Sequence, residues 1–225
     1  DLHYNIARSR EPTERLAADL CAGPAGPDDC LVLVGDLAGA EKDRFDACLG
    51  LFAGWGGRRF FVAGNHSLWS RTGQDAWTLL HDELPARGRK FGFACLEFEP
   101  AIVGPVGLAG TVGWYDYSFR SESLALPMRF YQSKVAPGAA RYFKEHRELL
   151  ARTDDLAEHH HRLTTRWMDG AYVRLPAHAP TDEQFDRVLA EKLARQLDWL
   201  AERVDRIVVF IHHVPLARLM PQLPG

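Results

Sequence analysis

Three short apolar runs in this chain end in the same kinds of residue, and that recurrence constrains the fold more than anything else in the sequence. Leu31-Val32-Leu33-Val34 runs into Gly35-Asp36, with Gly39 close behind. Arg58-Arg59-Phe60-Phe61-Val62-Ala63 runs into Gly64-Asn65-His66, and Arg206-Ile207-Val208-Val209-Phe210-Ile211 runs into His212-His213. Each run is too short to span a membrane and suits a buried strand of a helix-covered sheet. Side chains placed just after such strands leave the core at the carboxyl end, where open α/β sheets collect ligands. A lone aspartate in this position also serves as a helix N-cap or turn residue, so Asp36 alone leaves both readings open. The set says more. With Asp1-Leu2-His3 at the start of the chain, four segments deliver Asp, His, Asn and His at expected strand ends, and these side chains bind hard and borderline divalent cations.

The intervening pattern supplies the rest of an α/β (α+β) fold. Helices are expected over 11–22, with Leu16, Ala17 and Leu20 on one side, and over 40–52, with Phe45, Cys48, Leu49 and Phe52 at helical spacing. A short helix is expected over 74–84. Short strands in 91–98 and 101–111, separated by Pro100 and Gly104-Pro105, predict a second, partly antiparallel sheet packed on the first. A charged stretch of helical character over 139–168 reads as a cap inserted between strands. Thr181-Asp182-Glu183 opens an amphipathic helix over 181–204, with Phe185, Val188, Leu189, Leu193, Leu197 and Leu200 as its buried stripe. The expected organisation is one domain over 1–225, clipped at both ends, with a helical cap insertion at 115–180.

Composition narrows the function. A formal net charge of -3 gives no global case for a nucleic-acid binder, and no run approaches the ~20 apolar residues of a membrane helix. Cys21, Cys30, Cys48 and Cys95 show no paired spacing, so free thiols in a reducing, cytoplasmic setting are expected. Ten histidines exceed ordinary usage. His159-His160-His161 points in different directions on a helix, so a solvated face is expected there rather than a further metal site.

Asp-x-His, Gly-Asp, Gly-Asn-His and a late His after a strand, in that order, resemble the calcineurin-like metallophosphoesterase family. The resemblance implies two packed mixed sheets flanked by helices, two divalent metal ions (Mn, Fe or Zn), and hydrolysis of a phosphomonoester or phosphodiester by a metal-bridging hydroxide. It implies that Asp1 and His3 hold the first metal, Asp36 bridges both, and Asn65 and His212 hold the second. His66 then contacts phosphate and assists the leaving oxygen, with Asp36 and His66 as the catalytic pair. The family's late Gly-His-x-His does not occur before Gly225, and Ser67 stands where the family commonly has an acid.

For the substrate, a small phosphorylated molecule, the candidate contacts are Asn65, His66, Trp114, Tyr115 and Arg120. Trp114, Tyr115, Tyr117 and Phe119 offer rings for stacking, and Arg120 or Arg129 a cation for phosphate. Packing between sheet and cap is the favoured reading for at least half of those rings. The rival readings are a nuclease of the same fold, disfavoured by the charge balance, and a non-catalytic scaffold with a degenerate metal site.

Overall fold

A computed structural model describes residues 1–219. Two three-stranded sheets form its centre. The first contains β1 (Cys30–Val34), β2 (Arg58–Val62) and β3 (Phe93–Cys95), in that order and all parallel. The second contains β4 (Ala101–Val103), β5 (Val106–Thr111) and β6 (Arg206–Ile211), with β4 antiparallel and β6 parallel to β5. The mixed second sheet matches the expectation, but the strand at Phe93–Cys95 joins the first sheet instead. A helix separates it from β2, and that helical crossover favours parallel pairing.

Alternation along the first sheet gives its two faces different work. Leu33, Phe61 and Phe93 point into the main core with Phe45, Cys48 and Leu49 of α2 (Lys42–Leu51) and Ala17 of α1 (Ala7–Ala22). Val32, Val34, Phe60, Val62 and Ala94 share a second apolar cluster with Val103, Val106, Leu108 and Phe210 of the other sheet. The two sheets are therefore joined by a common apolar layer, with helices over the outer face of the first.

The expected helix over 74–84 extends further, as α3 (Ala76–Thr78), a π turn at Leu79–Glu83 and α4 (Leu84–Lys90). The wide turn lies just before Pro85, which has no N–H for an interior helical bond. Between β5 and the last helix the chain makes only short pieces, namely α5 (Met128–Gln132), α6 (Pro137–Ala140), 3-10 turns at Glu122–Leu124, Lys144–Leu150 and Glu158–Arg162, and α7 (Asp169–Tyr172). No long helix fills 139–168. These pieces close over a small apolar cluster of their own, built on Leu126, Phe130, Val135, Ala139 and Ala140. Arg129, weighed above for phosphate, forms a two-point ion pair with Asp155 at 2.5 and 2.7 Å and anchors this segment. His160 is buried and not part of a solvated face: its Nδ1 accepts from the Ala157 amide, and its Nε2 faces the Leu124 carbonyl.

The last helix, α8 (Asp182–Ala201), opens with a reciprocal cap in which Thr181 Oγ1 accepts from the Gln184 amide and Gln184 Oε1 from the Thr181 amide. Its buried face holds Phe185, Leu189 and Leu200 as expected, but also Lys192 and Gln196 where Leu193 and Leu197 are only half-buried. Lys192 reaches Glu97, which is fully buried and also accepts from Thr111 Oγ1 and the Val112 amide. Among the described residues, no helix is long and apolar enough to cross a membrane.

Candidate metal centre

The carboxyl ends of β1, β2 and β6 and the start of the chain converge on Asp36, which is buried. The turn that presents it is tight. Gly35 has φ +74, and a Cβ there would overlap the His212 ring; a Cβ on Gly64 would overlap the Asp36 carboxylate and amide. Glycine at both positions is what allows three segments to meet at one point. Asp36 and His3 themselves have φ of 40 and 43, in the left-handed region that non-glycine residues rarely occupy. The backbone before them is tied down, because Leu2 and His3 both donate to the Asp36 carbonyl.

The two oxygens of Asp36 face different partners. Oδ2 lies 3.6 Å from His3 Nε2 and 3.9 Å from His66 Nε2. Oδ1 lies 3.5 Å from His212 Nε2 and accepts from the His66 amide at 3.1 Å. His212 Nδ1 lies 3.6 Å from Asp1 Oδ1, and its Nε2 lies 3.0 Å from Asn65 Oδ1. Two overlapping sets result, one of His3, Asp36 and His66 and one of Asp1, Asp36 and His212, each with ligand atoms within 4.8 Å of one another. Asp1 thus stands on the His212 side and His66 on the His3 side.

Burial holds His3 and His212 below the ordinary imidazole range, against the opposing pull of Asp36, which favours the neutral, ligand-competent ring. His213 is pushed down to about 4 by burial and stacks on Trp114.

The aromatic candidates lie to one side of the cluster. Trp114 is buried, donates from Nε1 to Asp182 at 2.6 Å and packs edge-on to Phe185, so much of its surface is core. Tyr115 donates its O–H to Asp169 at 2.7 Å; burial, with the Asp169 charge beside it, holds the phenol well above its ordinary value. Arg120 is exposed and bonds the Tyr117 carbonyl. Together with Tyr117, Phe119, Trp167 and His213, these residues line a largely apolar cavity of about 500 Å³ that reaches the residue next to His212. Sequence reasoning did not single out Asp169 or Trp69, which stands by the cluster with its ring stacked on His66 at 3.9 Å.

The fold is thus mixed α/β, with a polar cluster at the ends of its parallel strands. No protein-family model and no curated protein sequence matches the chain. Among solved structures, it is similar to the crystal structure of phosphopantetheinyl hydrolase (PptH) from Mycobacterium tuberculosis, with a TM-score of 0.59 and 22% identity over 97% of this chain and 67% of that chain. At that identity the likeness is one of fold. The expected membership of the calcineurin-like metallophosphoesterase family is corrected accordingly: no model of that family takes in this chain, and the similar structure bears a different name. Motifs of two or three residues fix strand ends and ligand types, but leave family membership open.

Proposed function

We propose that this chain is a metal-dependent hydrolase of phosphate esters, with Asp36 shared between two divalent cations. The observation that carries the reading is the division of Asp36, one oxygen toward His3 and His66 and the other toward His212. The donor set fits such ions: imidazoles, carboxylates and an amide oxygen suit Mn, Fe or Zn. His3 and Asp36 would hold one ion, with His66 beside it, and Asp1, Asn65 and His212 would hold the other with Asp36. When bound, such a pair polarises phosphoryl oxygens and supplies hydroxide near neutral pH.

The chain's own residues do the remaining work. Asn65 presents a neutral oxygen, which limits negative charge facing an anionic ester. His66 is half-exposed at the edge of the cluster and pinned between His3 and Trp69, so its ring is oriented to give a proton to the leaving oxygen. The aromatic cavity beside His213 accepts the organic arm of the ester, and its volume suits a ligand of drug-like size. The name of the similar structure makes a phosphopantetheinyl ester the first substrate to try.

The test is metal content by mass spectrometry on protein purified without chelator. It is joined to turnover of a phosphopantetheinyl ester, a bis-aryl phosphodiester and an aryl phosphomonoester with added manganese. About two metals per chain are expected, with manganese-dependent release from at least one ester that Asp36→Asn abolishes. Protein that takes up no metal and turns over none of the three would refute the reading.

A further inference from the structure

Asp169 lies about a hundred residues along the chain from Asn65, yet it is the acceptor on which this edge of the cluster converges. It is 4% exposed. It accepts from Asn65 Nδ2 at 2.9 and 3.0 Å, from Trp69 Nε1 at 2.7 Å and from the Tyr115 O–H at 2.7 Å. It opens the short helix α7, which is docked on the strand-end loop by the Ser70 amide donating to the Tyr172 carbonyl and by Tyr172 stacking on Trp69.

We propose that Asp169 is the positioning carboxylate of this centre, in a role that rests on the metal-hydrolase reading: it determines which atom of the Asn65 amide faces Asp36 and His212. An ionised carboxylate accepts and cannot donate, whereas an amide carries a donor end and an acceptor end. With the Asn65 NH2 committed to Asp169, Oδ1 is turned toward His212 Nε2. The opposite orientation would set two acceptors against each other at Asp169 and aim an N–H, which cannot ligate a cation, at the cluster. The same carboxylate fixes Trp69, and Trp69 fixes the plane of His66. Ser67, the residue directly after His66, is buried with its hydroxyl unpartnered. The orienting charge comes instead from a segment distant in sequence.

The experiment compares wild type, Asp169→Asn, Asn65→Asp and the double variant Asn65→Asp/Asp169→Asn, all in the full chain. Manganese affinity is read by calorimetry, and the Asn65 side-chain amide is read by NMR in metal-free protein. Losing an outer partner of a ligand weakens metal binding about 10- to 100-fold, and that loss is expected for Asp169→Asn together with a shift of the Asn65 amide resonance. Asn65→Asp places two carboxylates in contact and is also expected to bind weakly. The double variant restores the bond with donor and acceptor exchanged, again turning an oxygen to His212, and should regain most of the affinity. A purely structural Asp169 would give no such recovery, because Trp69 and Tyr115 still face an amide. If Asp169→Asn fails to fold, Asn65→Asp against the double variant carries the same comparison.

Wild-type affinity in Asp169→Asn, or a double variant no better than Asn65→Asp, overturns the proposal and leaves the hydrolase reading intact. Wild-type protein that neither binds manganese nor turns over an ester brings down both.

Discussion

Replacing Lys192 by methionine tests how the second sheet is locked to α8, and its cost follows from the surroundings. Glu97 is fully buried and accepts from Thr111 Oγ1 at 2.9 Å, the Val112 amide at 2.8 Å and Lys192 Nζ at 2.6 Å. Methionine fills much of the lysine's volume but takes away the only cation in that set, leaving a buried carboxylate with two neutral donors. Breaking a buried pair from one side costs about 3–5 kcal/mol. At roughly 2–4 °C per kcal/mol for a chain of this size, the melting temperature should fall by about 6–20 °C.

Removing both charges in Glu97→Gln/Lys192→Met takes away the uncompensated charge, so the double variant should recover most of that loss. Urea unfolding followed by tryptophan fluorescence, with calorimetry alongside, measures all three proteins. The Thr111 and Val112 carbonyls also receive the His212 and His213 amides, so the single variant should bind manganese more weakly while the double should not. A Lys192→Met protein within about 1 kcal/mol of wild type, or a double variant as unstable as the single, would refute the argument that the pair is held by mutual compensation.

Gly64→Ala should abolish manganese uptake and lower stability, because the new Cβ falls on the Asp36 carboxylate and backbone, neither of which has room to move; titration calorimetry and thermal melts read both losses. Lys42 is half-buried, bonds the Ser67 and Trp69 carbonyls at 2.5 and 3.1 Å, and has its pKa lowered by desolvation from 10.5 to about 8. The folded state therefore releases its proton before the unfolded chain does, so stability should rise with pH between about 8 and 10.5, by about 3 kcal/mol from this group. Lys42→Met should flatten that rise, seen as a pH-dependent difference between the two proteins in urea unfolding; parallel curves would contradict it.

Strand ends could be located in the sequence because apolar runs bounded by Gly-Asp, Gly-Asn-His and His-His leave the chain few alternatives. Parallel strands carry their carboxyl ends to one side, and that is how Asp36, Asn65, His66 and His212 come together. What escaped the reading depends on partners far away in the chain. Phe93–Cys95 has the composition of a strand of either sheet, and only the helical crossover before it decides. Lys192 and Gln196 occupy the buried face of α8 because Glu97 waits there, whereas periodicity assigned that face to Leu193 and Leu197. Asp169 opens the four-residue helix α7, too short to leave a periodic signal, and its importance appears only when Asn65, Trp69 and Tyr115 are seen to point at it.

The stretch between β5 and α8 holds both Asp169 and most of the wall of the aromatic cavity, and Tyr115 belongs to both. Its ring faces the cavity while its O–H completes the shell around Asp169, so whatever displaces that ring pulls on the carboxylate that orients Asn65. A ligand arm entering beside Tyr115 and Trp167 therefore meets a surface coupled by one hydrogen bond to Asp169 and by a second to the Asn65 amide. On the proposed reading, selectivity for the arm and orientation of the ligand shell then become one problem. A change in the cavity wall that leaves Tyr115 in place should alter which esters bind, and one that displaces Tyr115 should weaken the metal as well.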